Sequence, residues 1–423
     1  SSVQQQVYPR FPKGMAQEDL QRLRKLYDLA PDMPEIDWIK QLRKLPSIDW
    51  LVDAGANSGP MDTLMRRTPD HSDWYDGGLY HDNEEFNVPA FWFNSWFDVS
   101  QGPNLAVFNH ARNKGKNERV REGQYMLMAP TLHCGFYRIP ENQDLIVGEL
   151  NVGNATFPFY EQMFSFFDYY LKDKKSKIFK KLPKVQYYTM GENKWQSADT
   201  WPPKKAEQMT LFLSSNAGAN SLFGDGKLID HSRSPSASDQ FTYDPMNPVP
   251  ALGGGVCCNK KAALGGSYDQ RAIEARQDVL VYSSEPMSQD LEVTGHIRPI
   301  IYISSDAKDT DVTVKLVDVH PDGAAFNVDD TIFRVRYREG YDKTILMEDN
   351  KVYEIKPTPL STSHVFKKGH IIRIEVSSSK FPQYMRNLNT GGNNYDEVDG
   401  VVANNTIHHS FQYPSRVIFS VIP

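Results

Sequence analysis

Two ionisable residues follow two apolar runs of the chain, and residues of these types could transfer protons. Asp98 comes directly after the run FWFNSWF, and His133 lies just beyond the run YMLMAP. If both runs are strands of one parallel sheet, the two residues fall at its carboxyl edge and can come together. A carboxylate that accepts a hydrogen bond from an imidazole fixes the tautomer of the ring, so that the other ring nitrogen can take a proton from a nucleophile. The order of an acid followed by a histidine is that of α/β hydrolases.

A simpler interpretation of the same two residues is open at this point. Asp98 could cap the helix that follows it, and His133 could be a loop histidine whose hydrogen bonds are satisfied by its neighbours. The spacing alone favours this simpler interpretation over the catalytic one.

The segments around the pair predict a strand, a helix and a second strand. The runs VPAFWFNSWFDVS and GQYMLMAPTLHCGF are continuous apolar segments closed by polar residues, as is typical of strands buried on both faces. The segment NLAVFNHARNKG between them has the character of a helix, and such a unit predicts parallel strand pairing. Upstream, apolar residues recur at helical spacing from residue 16 to about residue 67 and are interrupted by prolines, which predicts a layer of short helices.

The chain changes character near the segment WPPKK at residues 201–205, which suits a domain boundary. Beyond it, short runs alternate between apolar and polar residues; Val312, Val314 and Leu316, for example, alternate with Thr313 and Lys315. This pattern predicts antiparallel strands with one solvent-exposed face. We therefore expect an all-β sandwich or jelly roll of about 220 residues.

Composition argues against two classes of partner. The chain has 423 residues, with 47 basic and 53 acidic side chains and a formal net charge of −6. Without a basic stripe it offers no electrostatic footprint for nucleic acid or an anionic membrane surface. No run approaches the roughly 18 uncharged apolar residues that a membrane-spanning helix needs. We therefore expect neither nucleic acid nor a membrane as a partner.

Several motifs resemble one known family. Asn94–Asp98 (NSWFD) resembles the G-G-W-[FY]-D element of the CocE/NonD family of serine hydrolases, the family of cocaine esterase and X-prolyl dipeptidyl peptidase. Ala129–His133 (APTLH) resembles its G-P-W-x-H element, and Phe166–Lys172 and Tyr187–Pro203 resemble two later elements. Further stretches, among them YDPMNPVPALGGGVCC and FPQYMRNLNTGG, resemble successive parts of the jelly-roll domain of that family in the same order.

The resemblance implies a fold of the class α/β plus all-β. Residues 1–87 would form a helical cap region, residues 88–203 the C-terminal part of an α/β-hydrolase domain, and residues 204–423 a jelly-roll β-sandwich domain. The resemblance also favours the catalytic interpretation of Asp98 and His133 over the simpler one, since it implies that Asp98 is the acid and His133 the base of a catalytic triad. It implies no metal or organic cofactor.

The chain departs from the family motifs at four positions. Asn94 and Ser95 stand where the family has two glycines, and Ala129 and Thr131 stand where it has a glycine and a tryptophan. The carboxylate and the imidazole remain, so the proton chemistry is not excluded.

The helical region is expected to roof an acyl pocket. The candidates for its aromatic lining are Trp74, Tyr75, Trp92 and Trp96. Each of them also fits a plain core position, and this is the commoner role because aromatic side chains carry much of the buried area of a protein.

The nucleophile is the part of a triad that the chain does not supply in the expected place. In the family the nucleophilic serine lies in a G-x-S-Y-x-G motif upstream of the acid, and no such motif precedes Asp98. Ser267, in GGSYDQ, follows the pair and lies in a glycine-rich loop, and Ser58, in GANSGP, lacks the flanking glycines. We therefore expect the chain to be the C-terminal part of a longer enzyme. Its partner would be the N-terminal half as a separate or cleaved chain, or further copies in a homo-oligomer.

Two functions of different classes follow. The first is an acyl hydrolase that cleaves esters or amides of a small-molecule or peptide substrate, with the nucleophilic serine supplied by sequence outside this chain. The second is a non-catalytic protein whose jelly roll binds a glycan or a peptide and whose hydrolase part is vestigial, because a fold does not by itself decide function.

Overall fold

A computed structural model describes residues 16, 18, 37–54, 60–74, 84–174, 176–231, 237–257 and 263–423. The chain divides into two compact units, one of residues 1–67 with 393–398 and the other of residues 68–392 with 399–423. Among the described residues, no helix is both long enough and apolar enough to cross a membrane.

The described part of the first unit contains short helices joined by turns. It contains α1 (Trp38–Arg43), a 3-10 turn (Ser47–Asp49), α2 (Trp50–Asp53) and α3 (Pro60–Arg66). The side chain of Asp37 caps α1 by accepting a hydrogen bond from Lys40 N at 3.0 Å. The backbone N–H of Ile48 donates to Tyr395 O at 3.0 Å and so ties the later segment of this unit to its first. The short helices predicted from residue 16 to about residue 67 are therefore present in the described part of that range.

The second unit contains a sheet of four strands in the order β1 (Ala90–Phe97), β2 (Gln124–Leu132), β5 (Val185–Thr189) and β6 (Lys194–Ala198). The first three strands run parallel, and β6 is antiparallel to β5. The helices α4 (Gln101–Lys114) and α5 (Glu118–Glu122) connect β1 to β2. The predicted strand, helix and parallel strand are thus confirmed.

Helices cover this sheet through side chains at helical spacing. Leu105, Phe108 and Ala111 of α4 are buried. They are spaced three residues apart, so they share the helix face that packs on the sheet. The helix α6 (Phe159–Lys172) packs aromatic rings on β1, with the ring of Phe159 at 4.7 Å from that of Phe93. The one-turn helix α7 (Lys177–Lys180) then leads to β5, and the two-residue strands β3 (Ile146–Val147) and β4 (Leu150–Asn151) form a small separate pair.

A larger sheet is built from twelve strands of the second unit. Its strands are β7 (Glu207–Ser214), β8 (Lys227–Ile229), β9 (Ser238–Tyr243), β10 (Leu280–Ser283), β11 (Leu291–Ser305), β12 (Asp311–Val319), β13 (Ala325–Arg334), β14 (Tyr353–Ile355), β15 (Leu360–Phe366), β16 (Ile371–Ser377), β17 (Ala403–His408) and β18 (Arg416–Ile422). The strand order is β13-β12-β16-β10-β8-β7-β18-β11-β17-β9, and β14 and β15 each pair with β11 outside this order. Pairing is antiparallel except between β8 and β10, and a one-turn helix, α8 (Arg271–Glu274), precedes β10.

A buried carboxylate joins four segments of this larger sheet. Asp239 on β9 is fully buried and accepts hydrogen bonds from Ser215 Oγ at 2.7 Å, Tyr282 Oη at 2.8 Å and His409 Nε2 at 2.8 Å. The backbone N–H of Ala219 adds a further bond at 2.9 Å. Burial by itself raises the pKa of Asp239, but the hydrogen bonds, with that of His409 foremost, outweigh it and lower the pKa below its usual value.

We expect Asp239→Asn to lower the free energy of unfolding at pH 7 by about 3 kcal/mol, because an amide has a single acceptor oxygen for a set of donors that stay buried. A carboxyl whose pKa is lower in the folded than in the unfolded protein contributes stability above about pH 4, and this contribution is lost as the pH falls further. The difference between the two proteins should therefore shrink between pH 7 and pH 3 in urea unfolding curves. Asp230→Asn, at an exposed position, serves as the control, and a difference that stays constant with pH would contradict the argument.

Candidate active site

Asp98 and His133 lie in contact at the carboxyl ends of β1 and β2. His133 Nδ1 is 3.0 Å from both carboxylate oxygens of Asp98. The side chain of Asp98 is 4% exposed and that of His133 is 30% exposed. The acid is therefore enclosed, whereas the imidazole reaches solvent.

An irregularity in the strand pairing sets the two residues opposite each other. Ser95 pairs with Ala129, but Phe97 pairs with Leu132. Between these two pairs β2 therefore contains one more residue than β1. Pro130 lies in this stretch, and proline has no N–H for the ladder, which suits a bulge. Without the extra residue, Asp98 would continue the register opposite Leu132 instead of His133.

Asp98 is held by the first residues of the turn that leads into α4. The backbone N–H of Ser100 donates to Asp98 Oδ1 at 2.8 Å, and Ser100 Oγ donates to the same oxygen at 2.7 Å. A carboxylate can only accept, so His133 donates from Nδ1 and its Nε2 carries a free lone pair. Nε2 has no hydrogen-bond partner among the described residues, and a nucleophile could deliver its proton there.

Cys134 follows His133 directly and is a free, exposed thiol. Partial burial, together with the negative charge of Asp98, raises the pKa of this thiol. A cysteine nucleophile needs the opposite, a lowered pKa that makes the thiolate available at neutral pH. Cys134 is therefore poorly suited to act as a nucleophile.

The four positions that depart from the family motifs lie directly behind the pair and are all buried. The hydroxyl groups of Ser95 and Thr131 share a hydrogen bond of 2.6 Å across the bulge. Asn94 Nδ2 lies 3.3 Å from Ser100 O and 3.4 Å from Ser100 Oγ. These polar side chains thus connect the bulge on one strand and the Ser100 turn on the other.

We expect the Ser95 and Thr131 hydroxyls to depend on each other. Ser95→Ala or Thr131→Val alone should cost about 1–3 kcal/mol of unfolding free energy, since the remaining hydroxyl is buried without a partner. The double variant should cost clearly less than the sum, because both ends of the bond are then apolar. Urea denaturation of all four proteins measures this, with Thr242→Val at an exposed strand position as a control; additive losses would show that the hydroxyls act independently.

A glycine from the distant larger sheet region touches the backbone of Asp98. A Cβ atom on Gly255 would stand 2.8 Å from Asp98 O and 3.0 Å from Asp98 C. Gln101 Nε2 makes a second contact between the two regions by donating to Ser361 O at 2.6 Å. The turn that carries the acid is therefore packed between its own strand and the loop around Gly255.

The three described tryptophans of the predicted pocket lining each donate a hydrogen bond to another part of the protein. Trp92 lies six residues before Asp98 on the same strand, roughly 20 Å away at the usual rise per residue, and its Nε1 donates to Gln124 Oε1 at 2.9 Å. Trp96 is 1% exposed and donates from Nε1 to Tyr188 O at 2.7 Å within the core. Trp74 donates from Nε1 to Thr68 O at 2.8 Å. Tyr75 lies outside the described residues, and these contacts lend no support to a pocket role for the three tryptophans.

Of the two serines weighed as nucleophiles, Ser267 is fully buried and its Oγ donates to Asn327 O at 2.7 Å. That hydroxyl is engaged in a structural bond, which agrees with the sequence argument against it. Ser58 lies outside the described residues.

Sequence reasoning missed two residues of this site, Ser100 and Gly255. Ser100 had a local signal, because an aspartate followed two residues later by a serine, just before a helix, is a common side-chain-to-backbone turn. Gly255 had none, because its contact with Asp98 spans more than 150 residues of chain.

Comparison with known proteins identifies the class of the chain. Residues 177–418 match the family described as the X-Pro dipeptidyl-peptidase C-terminal non-catalytic domain. Cocaine esterase from Rhodococcus sp. (strain MB1 Bresler) is 34% identical over 370 residues, which are 85% of this chain and 61% of that protein. An alpha-amino acid ester hydrolase structure superposes with a TM-score of 0.72 at 23% identity, covering 92% of this chain and 65% of the other. A CocE/NonD family hydrolase from Staphylococcus aureus gives a TM-score of 0.54 at 15% identity, covering 79% and 55%.

The chain belongs to the family that carries the X-Pro dipeptidyl-peptidase C-terminal domain, and its resemblance to the CocE/NonD hydrolases is confirmed. It spans less than two thirds of the length of each of these relatives.

Proposed function

We propose that this chain supplies the acid and the base of a Ser-His-Asp triad in a hydrolase of esters or amides. The observation that carries the proposal is the contact of Asp98 with His133 Nδ1, since the partly exposed imidazole then has no partner for Nε2 among the described residues. The esterase name of the relative at 34% identity supports the reaction class.

In this mechanism Nε2 takes the proton of a serine hydroxyl as its oxygen attacks the acyl carbon. The imidazolium is stabilised by the Asp98 carboxylate and gives the proton to the departing alcohol or amine. Water then attacks the acyl-serine by the same route, and the serine recovers its proton from Nε2. Each step uses the Asp98 and His133 contact, and none requires a metal or an organic cofactor.

We propose further that the four-stranded sheet is the C-terminal part of an α/β-hydrolase domain and the larger sheet is a jelly roll, with the nucleophile and the oxyanion hole supplied by sequence outside this chain. Two features support this. Among the described residues β1 pairs only with β2, so its other edge offers unpaired backbone groups next to apolar side chains. A stripe of α6 is also exposed although it is apolar, namely Tyr160, Phe164, Phe167 and Leu171. Their spacing places them on one face of the helix.

The test uses the full product of the gene, purified with every chain that accompanies it. We expect labelling by a fluorophosphonate probe and hydrolysis of p-nitrophenyl acetate, and both should be lost in His133→Ala. His231→Ala is the matched control, because His231 also contacts an aspartate through Nδ1 but is exposed. A preparation that is neither labelled nor active would refute the hydrolase proposal.

One observation favours the second candidate function, that of a binding protein. A cavity of about 500 Å³ lies in the larger sheet region, away from the pair, and is lined by polar side chains including Asn220, Gln240 and Arg276. Such a lining suits a glycan hydroxyl or a peptide amide. Binding of a defined glycan by a preparation without esterase activity would support this candidate.

A further inference from the structure

Three histidines surround one buried aspartate in the larger sheet. Asp318 lies near the end of β12, and His320 follows two residues later, at the start of the turn to β13. His364 lies on β15, and His370 ends the turn between β15 and β16. Asp318 Oδ1 is 2.9 Å from His370 Nδ1, and Asp318 Oδ2 is 2.9 Å from His364 Nε2 and 3.6 Å from His320 Nε2.

These spacings fit a small divalent cation. Ligand atoms of Asp318, His320 and His370 all lie within 4.8 Å of one another. Two ligands bound tetrahedrally at about 2.1 Å from one zinc ion stand about 3.4 Å apart. The observed 2.9 Å, to Asp318 Oδ1, and 3.6 Å, to Asp318 Oδ2, lie on either side of that value. Rotation of the side chains, two of which are partly exposed, would bring one carboxylate oxygen and both imidazole nitrogens to a single ion. The 3.6 Å separation is also too long for a good hydrogen bond, which leaves His320 Nε2 turned toward the carboxylate without a strong bond to it.

The carboxylate of the cluster is buried and two of its imidazoles are partly exposed, so an ion could reach the site from solvent. Asp318 is 2% exposed, whereas His370 and His320 are 14% and 29% exposed and give a route from solvent. His364 is buried, and its Nδ1 has no hydrogen-bond partner among the described residues. Its Nε2 contacts Asp318 at 2.9 Å, an arrangement that orients a ligating carboxylate.

The backbone already holds the two turns that carry the histidines. The N–H of His320 donates to Ala324 O and the N–H of Gly323 to His320 O, both at 2.8 Å. His370 N donates to Lys367 O at 2.9 Å, and Met287 N donates to His370 O at 2.8 Å. Binding would thus need little reordering of the chain, which lowers its entropic cost.

We propose that Asp318, His320 and His370 form a binding site for a zinc ion, which links the β12–β13 turn to the β15–β16 turn. Two imidazoles and a carboxylate are a ligand set of zinc and its transition-metal neighbours, whereas calcium and magnesium prefer sets of oxygen atoms. Three protein ligands leave a fourth position for water. The site lies within the larger sheet and is independent of the proposed hydrolysis at Asp98 and His133.

The test is equilibrium dialysis of the full, tag-free chain against Zn²⁺, in a Cys134→Ser background so that the thiol beside His133 cannot compete. We expect one bound equivalent and a loss of affinity of at least tenfold in His320→Ala and in His370→Ala, whose side chains are partly exposed and whose loss the fold should tolerate. Asp318→Asn should bind least. His231→Ala should bind as the parent does, and Ca²⁺ and Mg²⁺ should not bind at the same concentrations.

A visible spectrum of the Co²⁺-loaded protein gives a second measurement. Intense d–d bands of a four- or five-coordinate ion should appear in the parent and disappear in both histidine variants. The proposal is overturned if the parent binds no Zn²⁺, or if His320→Ala and His370→Ala bind it as tightly as the parent.

Discussion

Asp98→Asn is expected to lower the turnover number of ester hydrolysis by about 10⁴, the size of effect that loss of the orienting carboxylate has in a serine triad. The Michaelis constant should change little, since Asp98 does not face the substrate. The substitution replaces one oxygen by an NH₂ group and leaves the volume almost unchanged.

We expect this loss because Ser100 determines which way the side-chain amide of the Asp98→Asn variant is oriented. Both the N–H and the hydroxyl of Ser100 donate to Asp98 Oδ1, so the amide oxygen must occupy that position. The NH₂ group then takes the position of Oδ2. His133 Nδ1 is 3.0 Å from both positions, but the two lone pairs of the amide oxygen are already used by the two donors of Ser100. An NH₂ group donates, and Nδ1 would have to accept from it, which moves the ring proton to Nε2. An imidazole protonated at Nε2 cannot take the proton of the nucleophile.

The measurement is the turnover number with p-nitrophenyl acetate, together with the rate of fluorophosphonate labelling. His133→Ala is the companion variant, because the imidazole is partly exposed and its loss should leave the fold intact. Asp230→Asn, at an exposed aspartate beside His231, is the control. A turnover number for Asp98→Asn within threefold of the parent value would remove Asp98 from the mechanism.

The parts of the fold that the sequence predicted are those with a strong local pattern. Phe91–Phe97 and Tyr125–Ala129 are short apolar runs closed by polar residues, which favours strands inside the protein, and Leu105, Phe108 and Ala111 mark one face of the helix between them. The helix that connects the two strands predicted that they pair in parallel. Parallel pairing in turn predicted that Asp98 and His133, which follow the two strands, lie close together. The short strands β8 and β9 had no such pattern, because the first is only three residues long and both lie among glycine- and serine-rich segments.

The details that set the site geometry were out of reach of local patterns. The bulge opposite Ser95 decides which residue of β2 meets Asp98, but a proline in an apolar run does not by itself say on which side the extra residue falls. Trp92 and Trp96 could not be assigned to pocket or core, because an aromatic residue in a buried strand has the same pattern in both. The Asp318 cluster was missed because its histidines are brought together by strands 50 residues apart in the chain.

The same long-range packing makes Gly255 a positioning residue, and Gly255→Ala is expected to lower the turnover number by about 10- to 100-fold. The added methyl group would stand 2.8 Å from Asp98 O, 3.0 Å from Asp98 C and 3.4 Å from Val99 N. These are backbone atoms, which cannot rotate out of the way as a side chain can.

The loop of Gly255 is held in place by hydrogen bonds of its own. Gly254 and Gly266 exchange backbone hydrogen bonds of 2.7 Å and 3.0 Å, and Gln383 Nε2 donates to Gly255 O at 3.3 Å. The strain should therefore fall on the Asp98 turn and shift the carboxylate that orients His133. Overpacking of this kind should also cost about 1–3 kcal/mol of unfolding free energy.

Gly102→Ala is the matched control, because it adds the same methyl group four residues after Asp98, where no heavy atom lies within 4 Å. Gly102 is in the first turn of α4, so alanine there should leave the turnover number unchanged and raise the unfolding free energy by about 0.4–1 kcal/mol. Steady-state kinetics and urea unfolding of both variants separate the two effects. Equal turnover numbers for Gly255→Ala and Gly102→Ala would mean that the loop only touches Asp98 and does not position it.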